Sequence, residues 1–573
     1  MRFFIHLWLF FLMILFSDLS FAQDLPSSDR TFSIEELTID ALHDAIKNKK
    51  MTCERLIDLY LDRIKKYNLS MENVPLNALT EINLSAKEQA RQLDQLYSTS
   101  HQLAGTLHCV PVVIKDNIDT YDVTTTSGSF ALLGTQPVND AFLVKQLRGA
   151  GAIIIAKSAM DELASGMKGI SSRSGRVGNA YRAEKNAGGS SGGSAVAVSA
   201  NFAILGVGTD NSGSVRIPAA FNGIVGLRPS MGLISQRGIF PAGNLDGTAG
   251  PMARNVKDLA IMLDVIVSEN TPNGKARNDS SVTSYVAYLN QDGLRGKRIG
   301  VVHRVGDINT FKAMPDDVMN QLKKSLQLMQ AAGAVIVDDI QLPRFNNNRK
   351  LNMAGMREEV NQYLASFPAA RKNFDDICES NRTRVFGNQA ACVRFVHGMP
   401  KKSDHEYKAA LKLFAKNKDY VENIMNKQQL DALLIPISTT GIATDDPMKV
   451  NTWQAPVSSN AGLPSITLNV GYIDGMPFGI EMIGKQFAEG TLIEMAYAYE
   501  RHTTQRIPPA LSAAGPIFAN MSIAAMNNLF TLLGSNAYQQ VLKKGKTNDL
   551  TADKFKQITI NTIKNMKTDN THH

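Results

Sequence analysis

The sequence predicts an α/β fold in which helices cover both faces of a β-sheet. Two short apolar runs bounded by turn-forming residues, Val110–Ile114 and Ala152–Ala156, have the length and composition of buried strands. The segment Ala141–Leu147 between them has the apolar spacing of a helix. Strands that alternate with helices in this way are typical of a sheet with helices packed on both sides.

The amino terminus has the pattern of a secretory signal peptide. A short basic start is followed by an apolar run from Phe3 to Phe16, and small residues at Ser20 and Ala22 fit a cleavage site. The alternative, an amino-terminal membrane anchor, fits less well because the run is shorter than the roughly 20 apolar residues that a span needs. We therefore expect residues 1–22 to be a signal peptide, the mature chain to be periplasmic or secreted, and no stable membrane insertion after cleavage.

Two amphipathic helices follow the signal peptide. Ser33 and Glu36 have the Ser-x-x-Glu spacing of a helix capping box, and apolar residues follow them at helical spacing. Thr52 is placed to cap a second helix, whose apolar residues from Leu56 to Ile64 form one stripe. We therefore predict one helix that begins near Ser33 and another that begins after Thr52.

Residues 165–250 are rich in glycine and serine but do not have the composition of a linker. Two apolar stretches interrupt them: Ala195–Ala200 has the pattern of a helix core, and Ala203–Val207 has that of a strand. Flexible glycine and serine linkers lack such apolar stretches. Glycines at this density inside a folded domain indicate tight turns and a close approach of the backbone to a ligand.

The rest of the chain up to about residue 510 repeats the α/β pattern. Gly333–Val337 and Ala432–Pro436 are predicted strands, and Ala496–Arg501 ends a predicted helix. We therefore expect residues 23–510 to form the main domain.

Residues 511–573 differ in character from the domain before them. Apolar residues recur at helical spacing from Phe555 to Met566, with lysines on the opposite face. We expect a C-terminal helical extension or tail in this region. Packing onto the domain is the ordinary role of such a helix, and binding to a partner or to a membrane surface is the alternative.

Composition and charge argue against a nucleic-acid-binding protein. The chain has 44% hydrophobic and 20% charged residues, as an ordinary globular protein does. Its formal net charge is +8, but lysine and arginine alternate with aspartate and glutamate along the chain. A nucleic-acid surface needs clustered basic residues, so we expect no nucleic-acid partner.

The four cysteines, Cys53, Cys109, Cys378 and Cys392, fit no zinc or redox motif because no Cys-x-x-Cys pair occurs. In an oxidising compartment, Cys378 and Cys392 could form a disulfide that closes a short loop. Two buried free thiols are the alternative, and the sequence does not decide between them.

Lys115 is the first candidate catalytic residue. It ends an apolar run and leads into a polar turn with Asp116 and Asn117. Burial disfavours the charged ammonium, so the pKa of a lysine drawn into the interior falls from about 10.4 towards neutrality. Such a lysine can act as a base, although a lysine considered alone is more often a surface residue.

Two glycine- and serine-rich loops are the second candidate part of a catalytic site. Ala187–Ser194 combines flexible backbone with hydroxyl groups that can relay protons. Gly208–Arg216 follows a predicted strand, so its backbone N–H groups can converge on one point, as an oxyanion hole requires. Each loop alone could equally be a flexible surface loop.

Taken together, the three segments resemble the amidase signature family, which includes fatty acid amide hydrolase, peptide amidases and the A subunit of glutamyl-tRNA amidotransferase. The family's Gly-Gly-Ser-Ser-Gly-Gly-Ser run is complete at Gly188–Ser194, and its Gly-Thr-Asp-x-Gly-Gly-Ser run is present with one change at Gly208–Ser214. The segment Ile114–Asn117 matches its Val-Lys-Asp-Asn run. Further matches are Thr124–Ser129, Gly226–Pro229, Gly250–Arg254, Asn460–Pro464 and Gly479–Gly484.

The resemblance extends from about Phe32 to about Arg506 and implies a mixed β-sheet core covered on both faces by α-helices. It implies that Ser214 is the nucleophile that forms an acyl-ester. Ser190 would be the bridging serine, held in a cis peptide, and Lys115 the general base in its neutral form. The resemblance implies neither a metal nor another cofactor.

The same resemblance assigns supporting roles around these three residues. The residues expected to hold the oxyanion through their backbone N–H groups are Asn211, Ser212, Gly213 and Ser214. Ser191, Asp210 and Arg216 would support the site from behind, with a purely structural role equally open for Asp210 and Arg216.

Two positions depart from the family pattern. Ser212 stands where the family usually has glycine in the oxyanion turn. If that position required a positive φ, serine would add a little strain, and we expect activity to survive because the N–H remains. Cys109 stands where a glycine often precedes the strand, and we attach no function to it.

The resemblance predicts an amidase that hydrolyses a carboxylic acid amide, with three alternatives. A nucleotide-binding protein lacks support because no Gly-Lys-Ser/Thr follows the glycines. A relative of the glutamyl-tRNA amidotransferase A subunit conflicts with an export signal. A catalytically silent amide-binding relative conflicts with the presence of all three catalytic side chains.

The substrate is expected to be a small-molecule or peptide amide. We expect loops in the ranges 160–180, 345–370 and 437–456 to form the pocket. The segment Met356–Leu364, together with the export signal, favours the peptide-amidase side. The sequence does not distinguish a peptide amide from a small aliphatic or aromatic amide or an acylated amine.

Overall fold

The structure is a computed structural model that describes most of the chain. The described residues are 32–241, 245–267, 284–311, 314–345, 353–380, 382, 389–438, 443–444, 457–503, 506–513, 516–544 and 550–569. The predicted signal peptide, residues 1–22, lies outside them. Within these ranges, no helix combines the length and the apolar character that crossing a membrane requires.

A mixed sheet of twelve strands forms the centre of the molecule, and two further strands, β4 and β5, form a separate hairpin. The strands are β1 (Leu79–Ile82), β2 (Pro111–Lys115), β3 (Ile153–Ser158), β4 (Ile170–Ser171), β5 (Gly175–Arg176), β6 (Leu205–Asp210), β7 (Val225–Arg228), β8 (Thr248–Ala253), β9 (Arg298–Val305), β10 (Ile308–Asn309), β11 (Val335–Leu342), β12 (Ala432–Pro436), β13 (Ser465–Ile473) and β14 (Met476–Ile483).

The order across the sheet is β1, β3, β2, β6, β8, β7, β13, β14, β12, β9, β10, with β11 paired to β9. Strand β2 is parallel to both β3 and β6, whereas β1, β8 and β14 run antiparallel to their neighbours. Strands β2, β3, β6 and β12 are buried along their whole length, as expected for a sheet covered on both faces. The predicted α/β fold with a mixed sheet is confirmed.

Helices fill the chain between the strands. They are α1 (Ile39–Lys47), α2 (Cys53–Tyr67), α3 (Ala86–Ser100), α4 (Phe142–Gly149), α5 (Gly192–Ser199), α6 (Arg216–Phe221), α7 (Val256–Ile266), α8 (Asp316–Ala331), α9 (Met356–Ala365), α10 (Phe374–Glu379), α11 (Gln389–His397), α12 (His405–Lys427), α13 (Val457–Ala461), α14 (Glu489–His502), α15 (Pro516–Ala519), α16 (Ile523–Lys544) and α17 (Ala552–Asp569).

The predicted start of the first helix at Ser33 is wrong. Helix α1 begins at Ile39, and Thr38 caps it by accepting the N–H of Ala41 at 3.2 Å. Glu36 has a φ of 54°, which is incompatible with a right-handed helix, and its N–H donates to Asn201 Oδ1 at 2.8 Å. The predicted cap of α2 is confirmed, because Thr52 Oγ1 accepts the N–H of Arg55 at 3.2 Å.

All four cysteines are paired. Cys378 bonds to Cys392, across a Cα–Cα distance of 5.4 Å, so the structure has the disulfide and not the two free thiols. Cys53 bonds to Cys109 across 5.2 Å, a pair that the sequence patterns did not predict. This second bond ties the start of α2 to the residues just before β2.

The C-terminal extension is helical in α15, α16 and α17. The apolar face predicted for the last helix is directed into the molecule, since Phe555, Ile558 and Ile563 are buried. The extension therefore packs onto the domain, which is the ordinary role expected from its sequence.

Candidate active site

The carboxyl ends of β2 and β6 bring the predicted residues together. These strands are parallel neighbours, with Ile114 opposite Val207, so Lys115 at the end of β2 lies beside Thr209 and Asp210 at the end of β6. Ligands bind at this end of parallel strands in open α/β sheets. The site therefore begins where the register of two strands places a lysine against a polar turn.

Lys115 is fully buried and makes three contacts with oxygen atoms. Its Nζ lies 2.7 Å from Ser190 Oγ, 2.8 Å from Thr209 Oγ1 and 3.2 Å from the Thr209 carbonyl oxygen. Asn117 adds a further bond, since its Nδ2 donates to Thr209 Oγ1 at 3.1 Å. Lys115 and Ser190 are therefore in direct contact, and Thr209 also contacts the amine of Lys115.

Burial lowers the pKa of Lys115 to about 7, although the carboxylates of Asp161 and Asp210 oppose the change. No carboxylate of the described residues forms an ion pair with its amine. A lysine with this pKa is largely neutral just above neutral pH and can accept a proton there.

Ser190 and Ser191 connect Lys115 to the loop after β6. The peptide bond between Gly189 and Ser190 is cis, as the resemblance implied. Ser191 donates its N–H to the Ser214 carbonyl oxygen at 3.1 Å, and its Oγ lies 3.2 Å from both the N and the O of Thr209. Ser191 therefore holds the two glycine-rich loops against each other.

Helix α5 begins directly after these serines and is buried on every side. Its Gly193 contacts backbone atoms, because an added Cβ would lie 2.3 Å from the Ala78 carbonyl oxygen and 2.4 Å from the Ala159 nitrogen. Only glycine allows this approach. The dense glycines of this loop thus fix the start of α5, and with it Ser190, close to the sheet.

Ser214 differs from the other two residues in its exposure. It retains 4% of its surface, whereas Lys115 and Ser190 retain none. Among the residues that the structure describes, Ser214 Oγ has no hydrogen-bond partner. The open hydroxyl therefore belongs to the residue predicted to attack the substrate, and the lysine lies behind it.

The loop that carries Ser214 folds around the carboxylate of Asp210. This carboxylate accepts the N–H groups of Gly213 at 2.8 Å, Val215 at 3.0 Å and Arg216 at 3.4 Å. The N–H of Gly213, one of the four groups expected to hold the oxyanion, is thus paired with Asp210 in this structure.

The other N–H groups of the predicted oxyanion hole differ in their surroundings. In the described part of the chain, neither the N–H of Ser212 nor that of Ser214 donates a hydrogen bond to another residue. Asn211 donates its side-chain amide to Asp246 at 3.1 Å. Ser212 has no positive φ, since the positive value of 120° belongs to Gly213, so the serine at 212 adds no strain.

A buried ionic network lies behind this loop. Arg216 donates to Asp210 from Nε and Nη2, both at 3.0 Å, and from Nη1 to Glu481 Oε1 at 2.6 Å. Arg228 Nη1 lies 3.2 Å from Asp210 Oδ1. Burial alone would raise the pKa of Asp210, but the charges of the two arginines outweigh it and hold the pKa well below its usual range. Asp210 and Arg216 are therefore charged partners that shape the loop.

Four further residues of the site were not singled out from the sequence as functional groups. Thr209 and Glu481 lie inside the family-like runs that were noted, so their positions carried a signal. Arg228 lies in another such run. No sequence pattern pointed to Asp161, yet its N–H donates to the Ser190 carbonyl oxygen at 3.1 Å.

The predicted pocket loops are only partly described. The range 160–180 borders Ser190 through Asp161. In the range 345–370, Tyr363 of α9 donates to Asp119 Oδ1 at 2.5 Å, and burial raises the pKa of Asp119 to about 7. Residues 346–352, 439–442 and 445–456 lie outside the described part.

Within the described ranges, one cluster has three side chains of metal-binding type: Cys53, His108 and Cys109. Two of its members are bonded to each other, and it lies at the start of β2, whereas Lys115 lies at the end.

Most of the chain is similar to proteins of known type. The family model described as Amidase matches residues 55–493. A protein of Arabidopsis thaliana named as a probable amidase is 30% identical over 514 residues, with 84% of this chain and 93% of that protein covered. The glutamyl-tRNA(Gln) amidotransferase A subunit of Pediococcus pentosaceus is 31% identical over 488 residues, with 82% and 97% covered.

Among solved structures, the native peptide amidase from Stenotrophomonas maltophilia superposes with a TM-score of 0.74 and 31% identity. That similarity covers 84% of this chain and 100% of the peptide amidase.

Proposed function

Since this chain belongs to the amidase signature family and is an amide-hydrolysing enzyme, we propose that it cleaves its substrate through an acyl-ester on Ser214. The observation that carries the proposal is the contact of 2.7 Å between Lys115 Nζ and Ser190 Oγ in a fully buried environment. A lysine with a pKa of about 7 is a competent base near neutral pH. Family membership agrees with the resemblance noted from the sequence.

The proposed first step forms the acyl-enzyme. Ser214 Oγ attacks the amide carbonyl and passes its proton to Ser190 Oγ, while the proton of Ser190 passes to the neutral amine of Lys115. The carbonyl oxygen becomes an oxyanion, which the N–H groups of Ser212 and Ser214 are available to bind. The C–N bond then breaks as Ser190 returns a proton to the leaving nitrogen and regains one from Lys115.

The second step is hydrolysis of the ester. Water attacks the acyl carbonyl and gives its proton to Ser190, which again relays a proton to Lys115. Collapse of the intermediate releases the acid and returns the proton to Ser214. The products are a carboxylic acid and ammonia or an amine.

For the substrate, we favour a peptide amide. Support comes from the peptide amidase of Stenotrophomonas maltophilia, all of which is covered at 31% identity. The predicted signal peptide agrees with this choice, because an exported enzyme meets peptides outside the cytoplasm. We propose a periplasmic or secreted location on the same ground.

A second candidate is a component of a tRNA-dependent amidotransferase. The observation in its favour is the 31% identity to the A subunit of Pediococcus pentosaceus, 97% of which is covered. The two candidates differ in what the isolated chain does: a peptide amidase releases ammonia from peptide amides without another protein. Ammonia release from glutamine alone, and from no peptide amide, would favour the second candidate.

The decisive experiment is intact mass spectrometry after incubation with a fluorophosphonate probe. We expect one adduct on the wild type and none on Ser214→Ala. Ser212→Ala is the matched control, because it removes a neighbouring hydroxyl and keeps the backbone N–H, and it should keep the adduct. An adduct on folded Ser214→Ala would contradict the assignment of the nucleophile, and no adduct on the folded wild type would favour a silent amide-binding relative.

A further inference from the structure

The C-terminal extension lies beyond the part of the chain that matches the family model, which ends at residue 493. Its helix α16 packs against β1, and α16 and α17 both pack against the β4–β5 hairpin. Strand β1 is at the edge of the central sheet, where backbone groups lack a neighbouring strand. Asn527 of α16 occupies this edge: its Oδ1 accepts the N–H of Ile82 at 2.7 Å, and its Nδ2 donates to the Ile82 carbonyl oxygen at 2.9 Å.

The β4–β5 hairpin lies between helices α16 and α17 of the extension. At Gly534 of α16, an added Cβ would lie 1.8 Å from the Arg173 carbonyl oxygen, so the helix backbone rests on the hairpin turn. At Gly175 of β5, an added Cβ would lie 2.4 Å from a ring carbon of Phe555 in α17 and 3.2 Å from Ala537 in α16. The hairpin therefore has close contacts on both sides.

Ile170 links this packing to the candidate active site. Its side chain belongs to a buried apolar cluster whose other members come from the extension: Ala537, Leu550, Phe555 and Ile558. Its N–H donates to Asp161 Oδ1 at 3.2 Å, and the N–H groups of Lys168 and Gly169 donate to Oδ2 at 3.0 and 2.8 Å. Asp161 in turn donates its N–H to the Ser190 carbonyl oxygen.

A second connection runs through the hairpin turn. Arg173 donates its N–H to the Gly128 carbonyl oxygen at 3.1 Å. Gly128 donates its own N–H to Asp116 Oδ2 at 3.1 Å, and Asp116 follows Lys115 in the chain. The hairpin thus contacts the neighbours of both Ser190 and Lys115, and no described hydrogen bond joins it to either residue.

We propose that the C-terminal helical extension is a positioning element of the active site, which holds the β4–β5 hairpin, and through it Asp161, in the place that orients Ser190. Phe555 is the residue whose side chain fills the space beside the hairpin. The functional part of this inference rests on the proposed function, and the structural part does not.

Two substitutions of equal size separate positioning from simple packing. Phe555→Ala removes the contact with Gly175 and Ile170. Phe518→Ala is the matched control, because Phe518 is equally buried in the extension but belongs to the main core and lies in α15, which packs against α2. Phe555→Leu, which refills most of the space, should restore the wild-type behaviour in large part.

The first measurement is amide hydrogen exchange of the segment 161–176, with the complete mature chain in each case. We expect the N–H groups bound to the Asp161 carboxylate to exchange about tenfold faster in Phe555→Ala than in Phe518→Ala, since local opening follows the loss of local packing. The second is turnover of a peptide amide below the unfolding temperature of every variant. We expect kcat to fall about tenfold or more in Phe555→Ala, with a smaller change in KM, because small misplacements of catalytic groups are costly.

The outcomes are separable. Exchange in 161–176 that is the same in both alanine variants would overturn the inference, and so would faster exchange with a kcat equal to that of Phe518→Ala. A folded wild type without amide turnover would instead overturn the proposed function. The exchange measurement would then decide alone whether the extension holds the hairpin.

Discussion

Lys115 Nζ lies 2.7 Å from Ser190 Oγ, and neither residue has any surface in contact with solvent. Burial lowers the pKa of the lysine, and it also keeps water from competing for the contact with Ser190. Ser214, with its small exposed surface, is the member of the set that a substrate can reach. The arrangement separates the proposed base from solvent and leaves the proposed nucleophile open.

The first prediction concerns the pH dependence of turnover. Because the proposed base, Lys115, acts in its neutral form in this mechanism and its pKa is about 7, kcat/KM should rise with pH through about 7 and level off above it. Below this pH the rate should fall about tenfold per pH unit, since one proton blocks the base. The measurement is a pH profile of kcat/KM with a neutral peptide amide. A rate that stays constant from about pH 5 to about pH 9 would contradict the role of Lys115.

The second prediction concerns the pH dependence of stability. In the unfolded chain the pKa of Lys115 returns to about 10.4. Between about pH 7 and about pH 10 the unfolded state then binds one proton more than the native state, so this group makes the native state more stable as pH rises. Relative to Lys115→Met, the wild type should gain about 1.4 kcal/mol in the free energy of unfolding per pH unit over this window.

The matched control for that experiment is Lys257→Met. Lys257 is more exposed, and its hydrogen bond to Asp40 raises its pKa above the ordinary value, so both states hold its proton up to about pH 10. Its difference from the wild type should stay flat over the same window. Denaturant unfolding at several pH values measures both variants, and equal slopes for the two would show that Lys115 keeps an ordinary pKa.

Five of the twelve strands in the sheet, β2, β3, β6, β11 and β12, and the residues that meet at the candidate site could be predicted, because they are encoded in local patterns. The runs of β2, β3 and β12 are so apolar that they are stable only when buried, and Lys115 and Ser190 lie in short, dense motifs. The predictions that failed depend on contacts with residues that are distant in the chain. The start of α1 is displaced because Glu36 bonds to Asn201 and Ile39 donates its N–H to Asp258, contacts that no pattern near Ser33 contains.

In the oxyanion turn, too, a contact with a distant residue changes what the local sequence predicts. Four consecutive N–H groups from Asn211 to Ser214 were expected to face one point. The structure turns the Gly213 N–H towards Asp210, because two buried arginines hold that carboxylate charged inside the loop. Arg228 is 18 residues from Asp210 in the chain, so the spacing within the motif could not reveal this competition.

The third prediction concerns Thr209, whose two oxygen atoms contact the lysine amine. Thr209→Val has nearly the same shape and removes only Oγ1, so the amine and Asn117 both lose a partner. We expect kcat to fall by roughly 10- to 100-fold, in line with the loss of one orienting contact of the proposed base. Thr209→Ser keeps the hydroxyl and should recover most of the rate.

The readout that separates positioning from substrate binding is the comparison of the kcat and KM effects, measured with the same peptide amide. Thr209 contacts the buried lysine and not the open hydroxyl of Ser214, so KM should change by less than about threefold. A large rise in KM with an unchanged kcat would contradict the role given to Thr209.

The fourth prediction concerns Asp210, whose carboxylate binds three backbone N–H groups and two arginines. Asp210→Asn leaves Arg216 and Arg228 without this buried countercharge, and breaking such a pair costs about 3–5 kcal/mol in the free energy of unfolding. Removal of the negative charge also disfavours the ammonium form of Lys115, so the acid limb of the pH profile should move to lower pH.

Asp258→Asn is the control for this variant, since Asp258 is a buried carboxylate of α7 that binds the N–H of Ile39 and makes no contact with the loop of Ser214. It should lower stability without moving the acid limb. Denaturant unfolding gives the stability of both variants, and pH profiles of kcat/KM at a temperature where both are folded give the position of the limb. A limb that stays in place in Asp210→Asn would mean that the charge of Asp210 does not reach Lys115, and its role would then be confined to shaping the loop.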